Sequence, residues 1–411
     1  MPRHTKRPAI ATLAAITALA VPVAFASLAC APGSAPRDRQ AGLVLALARF
    51  ASGPGGPVPQ PARLGILEQR GGAWAFRSLD DPESNVFHKA MAVELRPGEP
   101  GVLTAGGTRA ILTLWRPGAP PAVVWQADFG GRFSRMRDVE VADVYGAGER
   151  DLVVATHDQG VVAVVRPDGA GGYHATELDR CPGTIVHEVE VGDLDGDSVL
   201  EVYATPSSPN RLDGTPQPGE IVRYVPAGGG PRAVLADLGD RHAKEILVAD
   251  ADGDGRDELY AAVEAVSGGR VEVRRFAGGG ERQSGAPVAT LPDALCRFLL
   301  AGDVDGDGAR ELVATTHRAG IWLLRRPRAA GAAWTAELVA GDSGGFEHAA
   351  CLADLDGARG DELYVANDAA GRIERYSWQD GRTARSVLYT RPAGEKALTW
   401  SIAPAPPAAL P

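Results

Sequence analysis

Short apolar runs, separated by clusters of Gly, Pro, Asp and Asn, recur along most of the chain. Runs of this length between turn residues predict strands rather than helices. They also fall into a repeat. The segments HEVEVGDLDGDSVLEVYAT from His187, KEILVADADGDGRDELYAA from Lys244, RFLLAGDVDGDGARELVAT from Arg297 and HAACLADLDGARGDELYVA from His348 each read as strand, carboxylate loop, strand. RDVEVADVYGAGERDLVVAT from Arg137 is a weaker copy, and HKAMAVELRPGEPGVLTA from His88 has lost the acidic loop. With the first loop position as marker, the copies fall at 94, 143, 193, 250, 303 and 354, spaced by 49, 50, 57, 53 and 51 residues.

About fifty residues hold four strands of ordinary length with their turns. Such units, repeated, predict the blades of a β-propeller. Six markers leave the chain ends to be placed. LVLALARF, ARLGILEQR and AWAFRSL, near the N-terminus, read as strands two, three and four of a blade without its first strand. KALTWSIAP, near the C-terminus, reads as a first strand with nothing after it. Joined, they close the ring and leave no free inner sheet edge. The expectation is an all-β, seven-bladed propeller over 41–404, its last blade shared between the termini, with 405–411 as a disordered tail.

Composition agrees with many tight turns: 51 Gly and 31 Pro without a collagen period. The formal charge of −10 argues against nucleic acid as a partner. Much of the acid sits in three loops: Asp193, Asp195, Asp197, Glu201; Asp250, Asp252, Asp254, Glu258; and Asp303, Asp305, Asp307, Glu311. Hard cations such as Ca²⁺ take six to eight oxygens, and alternate Asp side chains around a Gly turn supply them. Packed carboxylates without a counter-charge repel, so these three loops are assigned Ca²⁺. A fourth candidate keeps Asp354, Asp356 and Glu362 but has Ala358 where the third Asp would stand. The copy with Asp143 and Asp151 carries Tyr145 and Ala147 between them and is expected to hold none.

These loops, with the EVYA, DELYAA and ELVATT that follow them, resemble the FG-GAP/VCBS repeats of integrin α-subunit propellers and many exported bacterial proteins. The resemblance covers roughly residues 88–390. It implies the propeller fold and structural calcium; the Phe-Gly and Gly-Ala-Pro cores are mostly missing, so it implies no integrin-like partner.

The first residues read as an export signal. Arg3, Lys6 and Arg7 precede an apolar stretch from Ile10 to Ala26. Ala24-Phe25-Ala26 offers an ordinary cleavage site. Ser27-Leu28-Ala29-Cys30 resembles a lipoprotein box in which Cys30 is lipidated. The expected division is a signal peptide at 1–29 and a flexible tether at 30–40. The protein is then a membrane-anchored lipoprotein of the periplasm or cell surface, touching membrane only through that anchor, or alternatively a secreted protein.

Function is expected on the face opposite the loops. Six residues before each marker stand His88, Arg137, His187, Lys244, Arg297 and His348, and Lys396 is placed in register for the shared blade. His157, His242 and His317 map to the same face. Such a rim suits an anion, an acidic glycan or a protein ligand; two or three His could instead take a transition metal. Ion pairing with the nearby Glu140, Glu188, Glu190 and Glu245 is the competing explanation for the charge. No HExxH or phosphate loop occurs, and the sequence alone pairs no nucleophile with a base. The reading is a non-enzymatic, calcium-stabilised binding module; the alternative is a polysaccharide lyase-like enzyme acting on acidic sugars through the His/Arg mouth.

Overall fold

The structure is a computed structural model. It describes residues 42–411, apart from 54–55, 131–133, 210–214, 267, 328–332 and 380. The export signal, Cys30 and the tether lie outside the described residues.

Seven antiparallel sheets form a β-propeller. Blades 1 to 6 are consecutive four-stranded sheets at residues 87–127, 136–179, 185–237, 243–291, 296–340 and 350–390. Blade 7 joins the termini: its inner strand Lys396–Ala405 pairs with Gly42–Gly53, which is followed outward by Ala62–Arg70 and Ala73–Asp81. This is the closure the sequence implies. One addition is a short strand, Gly56–Pro59, paired with the far end of Gly42–Gly53.

Burial explains why the blades stack. The second strands Asp151–Thr156, Glu258–Val263, Glu311–Thr316 and Glu362–Asn367 are buried along their whole length. Their continuous apolar runs face neighbouring blades on both sides. The outer strands Tyr173–Asp179 and Arg382–Thr390 are mostly exposed. Seven apolar clusters fill the seven seams; one joins Leu103, Leu112 and Trp125 of blade 1 to Val139 and Val154 of blade 2.

Closure is locked by Asp368 of blade 6. It accepts from Thr399 N at 2.7 Å and Thr399 Oγ1 at 2.9 Å, and pairs with Arg391 at 2.7 Å. The C-terminus differs from expectation. Ala405 belongs to the closing strand, Pro407–Ala409 forms a 3-10 turn, and Ala409 is fully buried. Residues 405–411 are therefore an ordered cap against blades 7 and 1, held by apolar burial, and not a disordered tail.

Candidate functional site

Each carboxylate loop joins the first two strands of a blade, and its own backbone pre-folds it. In the loop at 193, Asp193 accepts from the amides of Gly196, Asp197 and Ser198. Asp250 does the same with Gly253, Asp254 and Gly255. Gly196 and Gly253 turn at φ 77° and 73°, a region open to Gly at little cost. Carboxylate oxygens of Asp193, Asp195 and Asp197 lie within 4.8 Å of one another, as do those of Asp250, Asp252 and Asp254. The groupings Asp303, Asp305, Glu311 and Asp354, Asp356, Glu362 are equally tight. The fourth candidate is thus as compact as the three with all their Asp. Asp197, Asp254 and Asp307 are exposed loop positions, and Asp307 stands outside its blade's grouping.

The donors fit a hard divalent cation: every atom in the four groupings is a carboxylate oxygen, and Asp303 Oδ1 is buried without a hydrogen-bond partner. Glu201, Glu258, Glu311 and Glu362 sit at the inner end of each loop. Glu201 accepts from Leu194 N and Tyr203 Oη, and Glu362 from Leu355 N and Tyr364 Oη. Burial pushes the carboxyls of Glu201, Glu311 and Glu362 up to about 7. Adjacent loops are also tied together. Asp361 accepts from Asp303 N at 3.1 Å, and Gly302 allows this approach, because a Cβ there would lie 2.7 Å from the Asp361 carboxylate.

The sequence reading missed the counter-charge. An arginine from the third strand of each of these blades reaches its loop. Arg223 Nη1 lies 3.2 Å from both Asp195 and Glu201, and Arg325 Nη1 lies 2.7 Å from Asp305 and 2.9 Å from Glu311. Arg275 pairs with Asp252 at 3.0 Å and with Glu258; Arg375 pairs with Glu362 at 3.3 Å and with Asp356. In blade 2 Arg166 holds Asp151 in the same way. The loops are therefore not a set of uncompensated carboxylates. The signal was available as an Arg in each of the third strands, at 223, 275, 325 and 375.

The opposite face is built by β-bulges. Pairing skips one residue at His88, Arg137, Lys244 and Arg297, and the irregularity in blade 3 spans His187. A bulge re-aims the side chain that it leaves unpaired. In blade 7 the skipped residue is Trp400, not Lys396. Lys396 is exposed, four residues earlier, with Nζ 3.4 Å from Ser52 Oγ, and takes no part in the mouth.

Trp400 is the centre of the cluster. His88 packs edge-on against its ring at 4.4 Å, Arg137 lies over it at 5.3 Å, and Phe346 meets it at 6.2 Å. Arg297 lies over Phe346 at 4.3 Å, and His317 approaches that ring at 6.3 Å. Arg297 pairs with Glu347 at 2.5 Å and Glu264 at 3.3 Å. Glu264 also lies 3.1 Å from His242 Nε2 and 3.9 Å from Lys244. His187 and His242 are 5.7 Å apart, ring to ring. His157 pairs with Asp158 and feels the charge of Arg137. The structure thus unites His88, Arg137, His157, His187, His242, Lys244, Arg297 and His317.

His348 is the exception. It has φ 55° and is fully buried against Thr316 and Ser343. Its Nδ1 meets Thr316 O at 2.7 Å, so this nitrogen carries the proton, and Nε2 accepts from Ser343 Oγ at 2.8 Å. It ties blade 6 to blade 5 and has no ring nitrogen left for a ligand.

Electrostatics sharpen the mouth. Burial and the neighbouring cations push His88 and His187 well below their ordinary value, so both rings are neutral. Burial lowers Lys244 to about 8 despite Glu264. Burial alone would raise Glu264, but Arg297, His242 and Lys244 outweigh it and hold it at about 2. Buried nitrogens without a hydrogen-bond partner include Arg137 Nε, Arg297 Nη2 and Trp400 Nε1.

The four glutamates suspected of pairing with this rim belong elsewhere. Glu140, Glu188, Glu190 and Glu245 sit one or three residues beyond the bulges, with Asp138, around Lys89. Burial and carboxylate neighbours push Glu188, Glu190 and Glu245 well above their ordinary value. Asp138 and Glu245 then brace adjacent blades by accepting from Val189 N and Leu299 N. The channel is layered: a cationic mouth, then an acidic belt. No His takes part in a compact grouping of three metal ligands among the described residues.

These features define a seven-bladed β-propeller with carboxylate loops between the first two strands of its blades. The FG-GAP-like repeat model matches residues 250–314, and the seven-bladed propeller fits an FG-GAP β-propeller family. No curated protein matches the chain. Among solved structures, the periplasmic gluconolactonase PpgL of Pseudomonas aeruginosa is similar, at 15% identity and TM-score 0.51, covering 88% of this chain and 99% of its own. A Lactobacillus plantarum protein is similar at 12% identity and TM-score 0.55, covering 88% and 98%. At these identities the likeness is one of fold alone.

Proposed function

We propose that this protein is an exported, calcium-braced binding module whose channel mouth takes an anionic ligand, an acidic glycan in the first instance. One observation carries the reading. Lys244 and Arg297 converge from two blades on Glu264 and Glu347, Arg137 of a third blade joins them over Trp400, and buried guanidinium and indole N–H groups are left unsatisfied. Desolvated cations in excess of their counter-ions favour a bound anion, and an unmade hydrogen bond to a buried donor costs about 1–3 kcal/mol. Calcium in the four loops would stiffen the opposite face and supply no chemistry. The test is a panel of uronate-containing and neutral oligosaccharides, with affinity measured at low and physiological salt. Binding of the acidic members only, weakened by salt, supports the reading; equal binding of neutral sugars, or none at all, overturns it.

The second reading is a lyase-like enzyme on acidic sugars. Lys244 favours it: with its ammonium lowered to about 8, a neutral amine forms near neutral pH and can take a proton beside an arginine-neutralised carboxylate. Appearance of an unsaturated product from the same panel would select it.

A further inference from the structure

The strand-three arginines raise a question that the carboxylate loops alone do not. Arg223, Arg275, Arg325 and Arg375 each bridge the third-position Asp and the ninth-position Glu of their loop. In blade 5 both partners of Arg325, Asp305 and Glu311, belong to the grouping able to hold an ion; in blade 6 the same is true of Arg375 with Asp356 and Glu362. The guanidinium and a metal ion would therefore compete for the same carboxylates.

We infer that these arginines are built-in counter-cations. They hold the loops closed without metal, and calcium binds by displacing the guanidinium. Two details support exchange over simple neutralisation. First, the arginine comes from two different registers and still reaches its loop. Arg223, Arg275 and Arg375 stand opposite Tyr203, Tyr260 and Tyr364, whereas Arg325 stands two residues further along, in line with Glu311, where Val313 replaces the tyrosine. The charge is kept although its seat moves by one pleat on the same face. Second, Arg325 is about a third exposed, so its head can swing to water along a flexible stem. Asp303 Oδ1, unpartnered in this same loop, is then the oxygen left to an incoming ion.

The exchange sets calcium affinity below what the ligands alone would give, and it leaves the metal-free propeller folded. The test uses the whole chain and calcium itself. Calorimetric titration of Arg325→Gln should show one ion per chain bound about tenfold more tightly, since a unit charge a few ångströms from a dication is removed. The melting temperature in chelator should fall, and the rise on adding calcium should grow. Affinity equal to or weaker than native overturns the proposal, because an arginine that merely orients the carboxylates would help the ion. Should Arg325→Gln not fold without metal, Arg325→Lys is read instead. It keeps the charge but cannot fork across two carboxylates, so affinity should rise by a smaller factor; no rise contradicts the exchange.

Discussion

Arg137 of blade 2 lays its guanidinium over the indole of Trp400 in blade 7, at 5.3 Å, reaching past blade 1 to do so. His88 of blade 1 packs edge-on against the same ring at 4.4 Å. One aromatic side chain from the closing strand thus organises a cation and a neutral imidazole from two other blades, and the mouth is complete only when the ring is closed.

Trp400→Ala removes the ring on which Arg137, His88 and Phe346 rest. The expected loss of stability is about 2–3 kcal/mol, below the range for a fully buried Trp because this ring is partly exposed. Denaturant unfolding measures it. Anion binding should weaken by more than the loss of stability explains, because Arg137 is no longer held in place.

Asp368 should be the latch of the ring. Asp368→Ala leaves the Thr399 amide and the Arg391 guanidinium without their buried partner, at a cost of about 3 kcal/mol. Hydrogen exchange should speed up over Lys396–Ala405 first, with blades 2 to 4 little affected. Uniform acceleration across all blades would remove Asp368 from this role.

The contribution of His348 to stability should fall on mild acidification, opposed over the same range by the raised carboxyls of Glu201, Glu311 and Glu362. Burial holds the His348 pKa at about 4, against 6.5 when unfolded. Between these values the unfolded chain binds a proton that the folded chain refuses, so this contribution is full above pH 6.5 and is lost as pH falls toward 4. His88 and His187 act in the same direction. His348→Asn, which tolerates the positive φ, should lower the melting temperature at pH 7 but shrink the further drop between pH 7 and pH 4.5. An unchanged drop would assign the acid sensitivity to other groups.

Calcium should raise the melting temperature of chelator-treated protein without being needed for folding. Each site at hundredfold excess over its Kd adds about 2.7 kcal/mol. Circular dichroism in chelator should retain the β signal, because Arg223, Arg275, Arg325 and Arg375 already offset the loop charge.

The blade count was legible because strand, loop and strand recur with near-constant spacing, and because the terminal runs KALTWSIAP and LVLALARF complement each other. Register inside blade 7 was not. That blade has no loop marker, and Lys396 looked equivalent where the bulge in fact selects Trp400. The sign of the mouth was readable from the spacing of His88, Arg137, Lys244 and Arg297. Its counter-ions were not, since Glu264 and Glu347 lie outside the repeat position and meet Arg297 only where consecutive blades pack side by side. His348 kept the spacing but is held by Thr316 and Ser343 at a positive φ, which no repeat pattern reveals.

The most direct test of the account is a calorimetric titration of calcium-loaded protein with a short uronate oligosaccharide, native beside Arg297→Gln. The account requires saturable binding by the native protein that weakens as salt rises, and at least a tenfold loss in the variant, whose fold is checked by an unchanged far-ultraviolet spectrum. Equal affinity in the two proteins, or identical binding of the neutral oligosaccharide, would contradict it.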